Sequence, residues 1–243
     1  MMVAGSVEAG EYYARAGIGV SHVYEASFTD RDCSSESPAA LYGCGLGGDG
    51  KPYRSHGAFE TVSALEVGLG RVGSTVRLEA LVNYSPGFEF AGHANFLEPG
   101  RRQSVAAEAS SLSAVVAASV DVPSNVLPRF GSWRVFVGAA TGMARNRIGR
   151  TVMNFPTTTT IVPGGKWHGL SWMVMAGVER GLSDRTTLEL SWRYSDLGEL
   201  RTGRGQGRVI WRDGSRDPLL LDLAETQTEL RGHGVRVALR YAL

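Results

Sequence analysis

The chain has 243 residues, a length that fits one large domain or two small ones. Its 25 basic and 24 acidic residues leave a formal net charge of +1, which argues against a nucleic-acid-binding protein. With 43% hydrophobic residues the chain is expected to fold, but no stretch approaches the roughly 20 apolar residues of a membrane-spanning helix.

Alternation of apolar and polar residues is the dominant pattern along the chain. Strict period two predicts strands that have one apolar and one polar face. In the second predicted strand, Phe59 and Leu65 fall on the apolar face, whereas Glu60 and Glu66 fall on the polar face. The eight predicted strands cover residues 12–20, 58–70, 75–84, 108–120, 133–144, 170–180, 186–195 and 234–243.

The connections between these strands alternate in length. The long connections are residues 25–57, 85–104, 146–167 and 196–227, and the shorter ones are 71–74, 121–132 and 181–185. Long loops at one end and tight turns at the other are typical of transmembrane β-barrels. Because no linker divides the chain, we predict an N-terminal tail over residues 1–10 and one barrel domain over 11–243.

The composition of the two faces indicates which of them points outward. The polar face mixes glycine with charges of both signs, which fits a narrow barrel interior filled by ion pairs. Its charged residues are Arg15, Glu60, Glu66, Arg77, Glu79, Glu179, Glu189, Arg193, Arg236 and Arg240. The alternative is a soluble lipocalin-like barrel with the apolar face inside, whose outer surface would be very rich in glycine.

Aromatic residues support the membrane interpretation. They fall mainly near strand ends, where the rings would lie at the two membrane interfaces. The predicted interface aromatics are Tyr12, Tyr84, Trp133, Trp172, Trp192, Tyr194 and Tyr241.

Three segments resemble the small outer-membrane β-barrels of Gram-negative bacteria, the opacity-protein, OmpA-like and OmpX-like family. Residues 192–198 (WRYSDLG) are similar to the close of that family's seventh strand, and 133–142 to its fifth. The last nine residues resemble its C-terminal insertion signal, carried here by Leu239, Tyr241 and Leu243, although the family usually ends in Phe. The resemblance implies an all-β, eight-stranded, up-and-down transmembrane barrel with four long external loops and three short periplasmic turns.

The resemblance also implies a location in the bacterial outer membrane. Residues 1–10 have neither a basic segment nor an apolar core like those of a signal peptide, so we expect the signal to have been removed. Expected partners are outer-membrane lipid and lipopolysaccharide, the assembly machinery through the C-terminal strand, and an extracellular ligand at the loops. No nucleic-acid partner is expected.

The sequence does not predict a catalytic, metal or cofactor site. Residues 45–51 match most of a phosphate-binding loop, but Pro52 replaces the required Ser or Thr and no strand–helix context surrounds it. The histidines lack metal-ligand spacing. His168 and Ser171 could act as base and nucleophile, but three positions apart on a strand they would lie on opposite faces.

The predicted external loops carry two further features. Cys33 and Cys44 are close enough in sequence for a local disulfide, which would imply an oxidising compartment. The fourth loop is either a solvated charged segment or a surface that meets lipopolysaccharide phosphates. Its arginines are Arg201, Arg204, Arg208, Arg212 and Arg216.

These observations predict an integral outer-membrane barrel with a structural or surface-interaction role, adhesin-like or surface-antigen-like, carried by its external loops. A narrow channel for water or small ions is the alternative. A lipid-modifying enzyme is a weaker alternative.

Overall fold

Antiparallel β strands make up the regular structure of the protein. The structure is a computed structural model that describes residues 11–97, 103–123 and 131–243. The strands are β1 (Tyr12–Val23), β2 (Ala26–Asp30), β3 (Ser55–Phe59), β4 (Val62–Val72), β5 (Val76–Ala94), β6 (Gln103–Asp121), β7 (Arg134–Ile148), β8 (Thr151–Asn154), β9 (Thr158–Val162), β10 (Gly165–Gly181), β11 (Thr186–Arg201), β12 (Gly205–Trp211), β13 (Leu219–Leu223) and β14 (Thr226–Ala242). Within these ranges no helix is long and apolar enough to cross a bilayer.

Eight of the strands, here called the wall strands, close into a ring. They are β1, β4, β5, β6, β7, β10, β11 and β14, and each pairs with its neighbours in that order. The ring closes where β1 pairs with β14, with Ile18 opposite Val237. Closure pairs the backbone polar groups of every wall strand, as a bilayer requires. The predicted eight-stranded up-and-down barrel is confirmed.

The apolar face of the wall strands points outward. Large exposed apolar side chains line the outside of the ring, among them Ile18, Val67, Leu78, Val116, Val174 and Val237. The polar side chains that alternate with them point into the lumen and are buried. An apolar outer band around a polar interior is the arrangement of a transmembrane β-barrel.

The long connections continue the barrel wall beyond the end of the ring. We call the six short strands β2, β3, β8, β9, β12 and β13 the external extension. On one side, β3 pairs with β5 and β2 pairs with β14, and β2 and β3 pair with each other. On the other side, β8 pairs with β6, β9 with β8, β12 with β9 and β13 with β12. Apart from the last two residues of β3, the sequence predicts loops for these segments, whereas the structure has strands of four to seven residues.

The extension encloses an apolar core of its own. Phe90 packs edge-on against Phe28, with ring centroids 5.1 Å apart, and Phe59 lies 5.2 Å from Phe90. The core also contains Val23, Ala26, Tyr42, Val62, Phe88, Ala94, Val105, Ala107, Ala109, Ile148, Met153, Val162, Leu200, Leu223 and Leu230. The external end of the barrel is therefore filled by hydrophobic packing.

The second predicted strand is wrong at its start. The structure separates β3 from β4 at Glu60 and Thr61, so alternation does not carry across the break. Phe59 points into the apolar core and not outward, and Glu60 is exposed and not in the lumen. The predicted N-terminal tail, residues 1–10, lies outside the described residues.

Candidate functional site

Arg15 on β1 is the centre of an ion-pair network in the lumen. Its Nε donates to Glu66 Oε1 at 2.6 Å, and its two terminal nitrogens donate to the two oxygens of Glu189 at 2.6 and 2.7 Å. The Nη1 atom also donates to Glu79 at 3.1 Å. Arg193 holds the other side of Glu66, with one contact of 3.1 Å. Burial of so many charges is tolerated because each is paired.

Glu179 on β10 is the centre of a second group nearer the short turns. Its carboxylate accepts hydrogen bonds from Arg77 at 2.7 Å and from Arg240, and it forms a salt bridge of 2.7 Å with the half-exposed Arg134. Tyr13 links this group to the first one, since the Arg240 guanidinium lies over its ring, 5.4 Å from the centroid, and its hydroxyl donates to Glu79 at 2.8 Å.

The two groups together span the lumen. They draw side chains from every wall strand except β6. The glutamates are at most 3% exposed, and Arg15 and Arg193 are equally buried. An eight-stranded barrel has little interior volume, and here ion pairs occupy it. Of the ten charged residues predicted for the polar face, the structure buries all but Glu60 in this lumen, and it adds Tyr13 and Arg134 to the network.

Arg236 on β14 differs from the other arginines of the lumen. It donates to the backbone oxygen of Val20 at 2.8 Å and to Ser21 Oγ at 2.7 Å, and it makes no salt bridge with any described residue. Gly19 and Gly234 give it room, because a Cβ at either position would lie within 3.0 Å of its side chain.

The predicted interface aromatics lie on the outer surface at different heights. Tyr12 and Tyr241 lie at the end with the short turns, and Trp133 precedes β7 at the same end. Tyr84, Trp172 and Tyr194 lie toward the extension, where Trp172 and Tyr194 contact each other at 5.6 Å between ring centroids. Trp192 is the outward-facing residue of β11 just before Tyr194, and it lies nearer the short turns.

A row of cationic side chains lies on the outer surface above Trp172. Arg145 is opposite His168 and Arg147 is opposite Lys166 in the pairing of β7 with β10. All four side chains are exposed. This row could not be predicted from the sequence, because Arg145 and Lys166 lie in or beside a predicted loop and only the register brings them together.

Charged residues also shape the fourth connection. Arg201 pairs with Glu199 at 2.5 Å and Arg204 with Asp222 at 3.6 Å. The remaining predicted arginines, Arg208, Arg212 and Arg216, are exposed and make no salt bridge within the described residues. Hydrogen bonds from Ser215 hold the pKa of the Asp213 carboxyl below its usual range.

The first connection is held in place by polar contacts as well as by packing. The Asp30 carboxylate accepts hydrogen bonds from the backbone N–H groups of Leu41, Tyr42 and Gly43, at 2.8 to 3.0 Å. The buried Tyr42 hydroxyl donates to Ser55 Oγ at 2.7 Å, and burial raises its pKa above the ordinary range.

A disulfide joins Cys33 and Cys44 in this first connection, with Cα atoms 4.8 Å apart. Removing it with the double substitution Cys33→Ala and Cys44→Ala is expected to loosen residues 34–43, since a cross-link over a short loop contributes about 3 kcal/mol in the chain-entropy model. Limited proteolysis with mass spectrometry should show faster cleavage in this segment, while the barrel itself remains folded.

A matched control uses reductant. Adding a reductant to the wild-type protein should reproduce the cleavage of the double variant, and the variant itself should not respond. Equal cleavage rates for oxidised wild-type and variant protein would show that the disulfide does not restrain the loop.

No catalytic constellation is evident among the described residues. Ser171 points into the lumen and is buried, whereas His168 is exposed on the outside, so the two lie on opposite faces of β10. Across the described ranges, no group of three His, Cys, Asp or Glu side chains is placed to hold a metal ion. Residues 45–51 lie in the first connection, where a short bridge joins Leu46 to Pro52.

Comparison with known proteins gives a likeness of fold. No protein-family model and no curated protein sequence matches the chain. The solved structure of the outer membrane protein OprG from Pseudomonas aeruginosa is similar, with a TM-score of 0.51 and 10% identity over 100% of this chain and 99% of OprG.

Two further solved structures match with lower TM-scores. AlkL, studied in lipid bilayers, gives 0.44 with 14% identity, over 100% of this chain and 95% of AlkL. Neisserial surface protein A gives 0.35 with 12% identity, over 97% of this chain and 100% of that protein.

The geometry and the likeness to OprG agree. A closed ring of eight antiparallel strands, an apolar outer band and a charged lumen are the features that a strand-built protein needs in a bilayer. The chain has the fold of the small β-barrel proteins of the Gram-negative outer membrane.

Proposed function

We propose that the protein is a surface-interaction protein of the outer membrane and that the external extension is its binding part. The observation that carries this proposal is the contrast between the two halves of the barrel. Ion pairs fill the lumen between the membrane-facing walls, whereas the wall continues outside as a β structure with its own core. Surface segments held on a rigid scaffold are the usual place for binding residues.

The exposed arginines indicate the chemistry of the partner. Arg208, Arg212 and Arg216 are exposed on the fourth connection and have no carboxylate partners in the described residues. One planar guanidinium group can donate two parallel hydrogen bonds to two oxygens of the same phosphate, so this surface suits phosphate-bearing lipopolysaccharide. The cationic row of Arg145, Arg147, Lys166 and His168 lies lower on the wall, near the outer aromatic residues, and would meet the same ligand at the membrane surface.

A binding experiment tests this assignment. The refolded protein in detergent should bind immobilised lipopolysaccharide, and the triple substitution Arg208→Gln, Arg212→Gln and Arg216→Gln should weaken the affinity about tenfold. The loss should shrink at high salt because exposed charges are screened.

A second triple variant provides the matched control. It changes three exposed arginines at the opposite end of the barrel, Arg71, Arg180 and Arg185, to glutamine. The net charge then falls by the same amount, but binding should stay at the wild-type level. An equal loss of affinity in both triple variants would show that binding depends on net charge alone and would contradict a role for the extension.

Conductance separates the surface role from the narrow-channel alternative. Because charged side chains span the lumen, the refolded protein in a planar lipid bilayer should give no discrete current steps above background. Reproducible steps would favour the channel. An altered mass of lipopolysaccharide after incubation with the protein would favour the enzyme.

The last strand supplies a further part of the proposal. Leu239, Tyr241 and Leu243 are exposed on the outer face, at the end of the barrel where the short turns lie. We propose that the outer-membrane assembly machinery binds this alternating pattern before β14 pairs with β1.

A further inference from the structure

The buried charges of the lumen do not balance. Five arginines and four glutamates of the wall strands are each at most 8% exposed. Four of these arginines form salt bridges with the glutamates, but Arg236 does not. The five arginines are Arg15, Arg77, Arg193, Arg236 and Arg240, and the four glutamates are Glu66, Glu79, Glu179 and Glu189.

Arg236 is the arginine left without a counter-charge. Its acceptors are two backbone oxygens, of Val20 at 2.8 Å and of Val235 at 3.1 Å, and the hydroxyl of Ser21 at 2.7 Å. All three acceptors are neutral. Arginine stays protonated in proteins, so the charge persists, and burial of an unpaired charge is costly.

The side chain borders a cavity between the ion-pair network and the apolar core of the extension. Its volume is about 50 Å³. Most of the lining is apolar, and hydroxyl, amide and guanidinium groups reach it from Ser21, Asn83, Ser85, Ser113, Arg193 and Arg236. No carboxylate lines it.

Several donors in this lining have no protein acceptor. They are Asn83 Nδ2, Ser113 Oγ and the Nε atoms of Arg193 and Arg236. Ser113 and Arg193 are each 2% exposed. The inward positions Gly232 and Gly234 leave the space beside Arg236 open.

We propose that this cavity is a binding site for a small inorganic anion, between a halide and phosphate in size, with Arg236 as the counter-charge. A negative ion would accept hydrogen bonds from several of these unpartnered donors at once, and such bonds are stronger when donor and acceptor are both charged. The anion would act as an internal part of the folded barrel. The site is independent of the surface role proposed for the extension.

Anion-dependent stability tests the proposal. The refolded wild-type protein is melted in non-ionic detergent at constant ionic strength, with sodium bromide or sodium phosphate replacing the bulkier sodium gluconate. A ligand that binds only the folded state raises the melting temperature by mass action, so we expect a saturating rise of about 5 °C. A flat response for both anions would overturn the proposal.

Substitution of Arg236 distinguishes an anion site from a merely structural arginine. Arg236→Gln should abolish the response to bromide and phosphate and should melt no lower than wild type in gluconate, because it removes an unpaired charge. Arg134→Gln, at the opposite mouth of the lumen, should keep the wild-type response. An Arg236→Gln variant destabilised equally under all conditions would overturn the proposal.

A second variant keeps the test decisive if Arg236→Gln does not fold. Ser21→Asp places a carboxylate where Ser21 Oγ now accepts from Arg236. It should raise the melting temperature in gluconate and remove the dependence on bromide and phosphate. A crystal grown in bromide should show anomalous scattering within hydrogen-bond distance of the Arg236 guanidinium in wild type and not in Ser21→Asp. Persistence of the anion response in Ser21→Asp, or bromide located only elsewhere, would contradict the site.

Discussion

Replacing Glu66 by glutamine is expected to lower the free energy of unfolding by about 3–5 kcal/mol, the range for a buried ion pair that loses one partner. The Glu66 carboxylate accepts from Arg15 at 2.6 Å and from Arg193 on the other side. Glutamine keeps the shape but leaves two buried guanidinium groups with less counter-charge. Urea unfolding of the refolded protein, followed by tryptophan fluorescence and by the gel shift between folded and boiled forms, measures the loss.

The neighbouring Glu60 supplies a control for this experiment. It is exposed in the break between β3 and β4 and makes no salt bridge within the described residues. Glu60→Gln removes the same charge and should change stability by less than about 0.5 kcal/mol. If Glu66→Gln unfolded at the same urea concentration as Glu60→Gln, the network would not hold the barrel together.

Replacing Phe90 by alanine is expected to act on the external extension and not on the membrane part. Phe90 is 1% exposed and contacts the rings of Phe28 and Phe59. Loss of a buried phenylalanine costs about 3–5 kcal/mol through lost burial and the cavity left behind. The variant should be cleaved by protease in the extension, while its folded form still migrates apart from the boiled form on a gel.

An exposed leucine of the first connection, between β2 and β3, provides the comparison. Leu46 is 66% exposed, so Leu46→Ala should leave the cleavage pattern unchanged. Loss of the folded gel band in Phe90→Ala would mean that the extension and the membrane part unfold as one unit. Unchanged proteolysis would mean that the aromatic cluster does not stabilise the extension.

The wall strands could be predicted because period two is a local property. Each residue's face follows from its neighbours, so Arg15, Glu189 and Arg240 could be placed on the polar face without knowing their partners. The order of long and short connections then gave the up-and-down topology. Faces and topology together account for the barrel.

The partners of the charged residues could not be predicted. Arg15 and Glu189 are 174 positions apart, and only closure of the ring brings them together. The anion site proposed at Arg236 depends on which buried charges have partners, and those partners are likewise set by contacts between residues far apart in the sequence. The extension escaped prediction for a related reason, since strands of four to seven residues carry too few alternations to stand out from a loop.

The ion pairs of the lumen have a consequence for how the protein inserts. Arg15 lies on the first wall strand and pairs with Glu189 on β11, and Arg77 on β5 pairs with Glu179 on β10, so neither half of the barrel contains all the partners of its own charges. A half-formed sheet would expose these groups to lipid, where unpaired charge is strongly disfavoured. Partly assembled intermediates are therefore high in energy, and insertion and ring closure should occur as one cooperative event.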